Sequence, residues 1–162
     1  MNSEFKIRRI IEDDNGRITT IIRASLEEFS AAKHITVYYD ESTDRLHEVF
    51  KKKKSAYFVA KANGEDVGGG GIFPTKGLDP KTCELVKMYV SPAVRGKGLG
   101  KLLLNRCIEE AKNAGYKMMY IETMPELTTA IEMYKKNGFT FIPGSLGNSG
   151  HSGCGVFMIR EL

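Results

Sequence analysis

The sequence predicts a mixed α/β domain, and three observations carry that expectation. Short β-branched and aromatic runs alternate with segments whose apolar residues recur every three or four positions. A strand, a glycine-rich turn, a helix and a second strand follow one another between Thr82 and Glu122. Asn63-Gly64 joins two strand-like runs as a hairpin turn.

Taken in order, Phe5 to Ile11 (FKIRRII) reads as a first strand, and Asp13 to Gly16 as a polar turn offering helix caps. From Arg17 to Phe29, residues Ile18, Ile21, Ile22, Leu26 and Phe29 make one apolar helical stripe, and a short helix follows Ser42 with Leu46, Val49 and Phe50 on one side. Tyr57 to Lys61 and Val67 to Phe73 (VGGGGIF) are the hairpin strands. Glycine weakens a strand, so the run Gly68 to Gly71 predicts a bulge, tight packing, or a groove where a ligand or another backbone comes close. Thr82 to Val90 is the fourth strand. The helix Leu99 to Ala114 carries Leu102, Leu103, Leu104, Ile108 and Ala111 and stops at Gly115. Met118 to Glu122 is the fifth strand, Pro125 to Asn137 a helix with Pro125 in its first turn, and Phe139 to Ile142 and Gly155 to Arg160 are closing strands.

At 162 residues, 41% apolar and 27% charged, the chain fits one soluble domain over 1–162, and its apolar runs are too short to span a bilayer. The opening MNSEFKIRRIIEDDNGR has neither an apolar block nor a cleavage site, which predicts a cytoplasmic protein. Cys83, Cys107 and Cys154 are odd in number and widely spaced, so reduced thiols are expected and no metal set is read. The net charge of +4 is mild, and its one basic run, Lys51 to Lys54, suits the end of a helix-like segment. Neither a nucleic-acid footprint nor a membrane anchor is predicted, and the assembly is expected to be a monomer or homodimer.

The chemistry begins at Arg95-Gly96-Lys97-Gly98-Leu99-Gly100-Lys101, between a strand and a helix. Unpaired backbone N–H groups and the positive helix end can hold a phosphate there, glycine lets the backbone come close, and Arg95, Lys97 and Lys101 add charge. A Walker A loop would need glycine at Arg95 and Ser or Thr at Leu102, and a dinucleotide fingerprint would need glycine at Lys101. Both therefore fail.

The stretch VKMYVSPAVRGKGLGKLLL resembles the coenzyme-binding motif of the GNAT (GCN5-related) N-acetyltransferase superfamily, R/Q-x-x-G-x-G/A after a strand, with Arg95, Gly98 and Gly100 matching. Ala130 to Phe139 (AIEMYKKNGF) is similar to the A-x-x-x-Y-x-x-x-GF segment of the same family, and the two motifs together span about the last half of the chain. The resemblance implies a central, mostly antiparallel twisted sheet of six to seven strands, a splayed fourth and fifth pair, and about four flanking helices. It implies acetyl-CoA as acetyl donor, with Met88, Tyr89 and Val90 meeting the pantetheine arm and the turn Arg95 to Lys101 holding the pyrophosphate. It also implies an N–H near Val90 facing the thioester oxygen, where charge develops in the transition state.

Only about one alkylamine in a thousand is unprotonated at neutral pH, so a base helps. Glu84 stands six residues before Val90, and strand alternation predicts it on the same face as Met88 and Val90. Family resemblance implies a proton-removing glutamate at this position, with a solvated or cation-binding carboxylate as the alternative and His151 or water as other bases. It likewise implies Tyr134 near the coenzyme sulfur, where its hydroxyl protonates the leaving thiolate, unless it only packs with Phe139. One departure is Leu127, where many relatives carry a coenzyme-contacting asparagine. Glu122 on the fifth strand reads as a paired structural carboxylate that can also reach the site. His151-Ser152-Gly153-Cys154 allows a cysteine acyl-enzyme, and Gly144 to Gly153 reads as a mobile flap.

For the acceptor, a small-molecule or peptide amine, the resemblance points to Tyr38, Tyr39, Asp40, Glu41 and His34, with His151 from the last loop; their aromatic and acidic character suits a cationic amine, with a solvated helix connection as the alternative. Two other readings stay open: a non-catalytic acyl-CoA sensor, and acyl transfer to an alcohol or hydroxylamine.

Overall fold

The computed structural model describes residues 4–28, 41–147 and 155–162. Its strands are β1 (Lys6–Arg9), β2 (Ala56–Ala62), β3 (Glu65–Phe73), β4 (Thr82–Val90), β5 (Met118–Thr123), β6 (Thr140–Ile142) and β7 (Val156–Glu161). Its α-helices among the described residues are α1 (Asn15–Glu28), α2 (Leu46–Val49), α3 (Leu99–Asn113) and α4 (Thr128–Lys136). The seven strands of the described residues join one sheet in the order β1-β2-β3-β4-β5-β7-β6. Among the described residues only the β4–β5 pair is parallel, as the strand, helix, strand connection through α3 favours. The mixed, mostly antiparallel sheet is the one expected.

The two faces of the sheet carry separate apolar clusters. On one, Ile18, Ile21, Ile22 and Leu26 of α1 pack with Leu46, Tyr57 and Val59. On the other, Leu99, Leu103, Leu104, Cys107, Ile108 and Ala111 of α3 pack with Phe58, Ile72, Leu85 and Met119, while Ile131 and Tyr134 extend that layer into α4. Both helix lists step by three and four, the period that keeps one stripe on the sheet. Leu102 falls off that stripe and is 39% exposed, which corrects its place among the expected core positions. Burial of each Leu or Ile side chain stabilises by about 1.5–3 kcal/mol, so the sheet is held chiefly from these two sides.

The ends differ from expectation for local reasons. The polar turn before α1 is a 3-10 turn, Glu12–Asp14, followed directly by helix from Asn15. There the Asp14 carboxylate accepts the Ile11 N–H at 2.9 Å and the Arg8 guanidinium at 2.7 and 3.0 Å. The helix expected from Pro125 begins only at Thr128, because Met124 to Leu127 close a separate turn in which the Leu127 N–H reaches the Met124 carbonyl at 3.0 Å. The chain then leaves α4 at Gly138, with φ at 91°, and β7 slots between β5 and β6.

Candidate active site

The β4–β5 ladder holds for three pairs only, Thr82 with Met118, Cys83 with Met119 and Glu84 with Tyr120. Beyond them β4 runs on to Val90 and β5 to Thr123 with no shared ladder, and a cleft of about 840 Å³ opens between them. Leu85, Met88 and Val90 form one wall, Ile121 and Thr123 the other, and Met133 and Tyr134 of α4 close its side. That volume lies within the range of small-molecule sites.

A bulge shapes the β4 wall. Gly71 pairs with Val86 and Gly69 with Tyr89, so β4 uses one residue more than β3 over this stretch, and Lys87 takes φ at 51°. The extra residue resets the alternation. Met88 and Val90 pack against the α3 side, whereas Val86 and Tyr89 pack against the α1 side, and Glu84 shares the phase of Val86. The expectation that Glu84 lies on the face of Met88 and Val90 is therefore corrected, for simple period-two counting does not survive the bulge. Past it, the Ser91 N–H donates to the Val67 carbonyl at 2.8 Å, so the alternating ladder turns the N–H of Val90 away from β3 and toward the cleft.

At the other mouth, a 3-10 turn (Pro92–Val94) leads into Gly96 and Gly98 at φ of 78° and 82°, a region that favours glycine, and α3 starts at Leu99. Arg95, Gly96, Gly98, Leu99, Gly100 and Lys101 all border the cleft. Its first helical amides have no intrahelical partners. Their exposed N–H groups and the positive helix end fit a diphosphate. The charged side chains divide differently from the sequence reading. The Arg95 guanidinium turns back to the protein: its Nε donates to the Val90 carbonyl at 3.0 Å, Nη2 to Ser25 Oγ at 3.4 Å, and Nη1 pairs with Glu28 of α1. Lys97 is absent from the cleft wall and its Nζ stands 3.4 Å from Glu4. Lys101 remains the lysine of the loop that borders the cleft.

Glu84 is buried, does not line the cleft, and its Oε1 accepts a 2.6 Å hydrogen bond from Thr75 Oγ1. Tyr134 does line it, stacked edge-on against Phe139 with ring centroids 5.7 Å apart. The ring therefore packs on Phe139 and borders the cleft at once. Burial pushes the Tyr134 hydroxyl pKa well above that of an ordinary phenol, so it stays protonated at neutral pH. Glu122 borders the cleft from β5, and its Oε2 accepts Tyr120 Oη at 2.6 Å and Ser145 Oγ at 2.9 Å. The Leu146 N–H donates to Tyr120 Oη at 3.1 Å, so the start of the expected flap is tied to β5. Leu127 borders the cleft in place of the asparagine, beside Thr128 and Thr129.

Tyr38, Tyr39 and His151, with His34, Asp40 and Cys154, lie outside the described residues. Of the described thiols, Cys83 and Cys107 are both buried, and burial pushes Cys83 up to about 12, which leaves no thiolate for acyl transfer at neutral pH. Sequence reasoning missed Tyr120 and Ser145, the partners of Glu122. Tyr120 and Ser145 meet Glu122 only through strand spacing and a loop return, and neither belongs to a motif.

The site is thus a strand pair forced open beside a glycine-rich strand-to-helix turn, the arrangement of an acyltransferase cleft. Residues 18–139 match the model of the acetyltransferase (GNAT) family, and the chain belongs to that family. It is 43% identical over 158 residues to the uncharacterized N-acetyltransferase YjgM of Escherichia coli K12, covering 96% of this chain and 94% of that one. Its fold is that of a GNAT-family acetyltransferase from Staphylococcus aureus Mu50, with a TM-score of 0.86 at 20% identity and coverage of 98% and 99%. It also matches the PaiA N-acetyltransferase of Thermoplasma acidophilum, solved in complex with coenzyme A, with a TM-score of 0.76 at 18% identity over 100% of both chains.

Proposed function

We propose that this chain transfers the acetyl group of acetyl-CoA to an amine of a small molecule or peptide by direct attack. The observation that carries the reading is the separation of β4 from β5 after Glu84 and Tyr120, with the amide-rich turn at one mouth and Tyr134 inside. In this reading the amides from Gly96 to Lys101 hold the pyrophosphate, and the Lys101 ammonium adds charge. The pantetheine arm lies along Met88 to Val90, in the place a paired neighbouring strand would take.

The amine lone pair attacks the thioester carbonyl carbon, and the Val90 N–H meets the oxygen that turns negative. Glu84 lies too deep for direct contact and takes the ammonium proton through water, while the Tyr134 hydroxyl gives its proton to the departing thiolate. Coenzyme A and the acetylated amine leave.

An acceptor screen tests the activity. Release of free coenzyme A from acetyl-CoA is measured with amines, polyamines, amino acids, peptides and, as controls, alcohols and hydroxylamines. Turnover that depends on an amine is the expected outcome; tight binding of acetyl-CoA with no acceptor-dependent release across the panel would assign the cleft to a sensor.

A further inference from the structure

The glycine run of β3 makes room for a tyrosine that reaches across the sheet. Tyr57 starts on β2 opposite Gly71, and its ring lies over β3 on the α1 side. A Cβ on Gly69 would stand 2.6 Å from Tyr57 Cε1 and 2.8 Å from its Oη, and one on Gly71 would stand 2.7 Å from Cδ2. Any larger residue at either place would push the ring out. Having crossed, the hydroxyl reaches β4 and donates a 2.7 Å hydrogen bond to the carbonyl of Lys87.

Lys87 is where the bulge bends, with φ at 51°. A non-glycine residue in that region is strained and persists only where its surroundings fix it. The bulge also decides where the next residues of β4 face, Val90 among them. Tyr57 itself is 1% exposed and absent from the cleft wall, and its hydroxyl meets β4 at the Lys87 carbonyl.

We propose that Tyr57 is a positioning residue for acetyl transfer: admitted by Gly69 and Gly71, its hydroxyl fixes the Lys87 bulge and so aims the Val90 amide at the thioester. The proposal rests on the acetyl-CoA reading of the cleft. If the ring served packing alone, phenylalanine would replace it without consequence.

Tyr57→Phe removes one oxygen and keeps the ring. The expected result is a ten- to hundredfold fall in kcat with acetyl-CoA, little change in acceptor KM, a Tm within a few degrees of wild type, and shifted amide resonances for Met88, Tyr89 and Val90 in the unliganded protein. A kcat within twofold of wild type together with unmoved amides would overturn it. A second variant guards the route, since Lys87→Gly relieves the strained φ and should shrink the loss caused by Tyr57→Phe at least threefold. Equal losses in both backgrounds would remove the bulge as the means of action. Failure of wild-type protein to bind coenzyme A would instead count against the cleft reading, because the unliganded amide shifts report on the bulge alone.

Discussion

Tyr134 illustrates how one side chain can serve the core and the cleft together. Its ring belongs to the cluster under α3, where apolar burial raises the cost of ionising the hydroxyl. A phenol held protonated in this way is a poor acid by pKa alone, yet a coenzyme A thiolate is a good leaving group that needs little help. Tyr134→Phe should therefore lower kcat by tens of fold rather than thousands, with KM for acetyl-CoA nearly unchanged. The sign of its pH effect follows from the upward shift. Since the folded pKa lies above the ordinary value near 10, the proton stays on through neutral and mildly alkaline solution. Any alkaline fall in kcat below pH 10 must come from another group and should persist in the phenylalanine variant. Steady-state rates across pH for both proteins check this, and a wild-type rate in the variant would leave Tyr134 a packing residue.

At the scale of elements, Arg95 ties α1 to β4. Its bonds to the Val90 carbonyl, Ser25 and Glu28 link the strand edge to the end of that helix. An exposed ion pair adds at most about 1 kcal/mol, so the tie matters for alignment more than for stability. Glu28→Gln should lower kcat severalfold while leaving Tm and the dissociation constant of coenzyme A close to wild type. A large loss of coenzyme affinity instead would mean that the pair shapes the phosphate turn itself. Much of this architecture was legible in the letters: the helical stripes of α1 and α3, the Asn63-Gly64 hairpin and the glycine-rich turn all declare themselves by spacing. What was not legible depends on neighbours distant in sequence. The glycine run of β3 allowed for a bulge, and the ladder does shift between Gly69 and Gly71, but no letter of β4 says that the extra residue bends at Lys87. Arg95 read as a phosphate contact because nothing in RGKGLGK announces Glu28, sixty-seven residues earlier.

Across the whole molecule, the sheet is a continuous, doubly covered core in β2 and β3 and an open fork between β4 and β5. Tyr57, Phe58, Val59 and Ala60 are all at most 1% exposed, whereas β4 becomes half-buried from Val86 onward. The two regions should open with different free energies, since local stability follows buried contacts and paired backbone. In the free protein, amides of β2 and β3 should exchange with solvent only through global unfolding, and those facing the cleft in β4 and in the turn from Arg95 to Lys101 much faster. Coenzyme A should slow exchange in the second group by filling the fork. At a concentration one hundred times its dissociation constant it adds about 2.7 kcal/mol to the folded state. For a domain of this length that is a rise in Tm of roughly 5–10 °C. Hydrogen exchange and thermal scans, each with and without coenzyme A, measure the two effects on the same sample. Protection spread evenly over the sheet, or a Tm that does not move at saturation, would mean that the fork is not where the coenzyme sits.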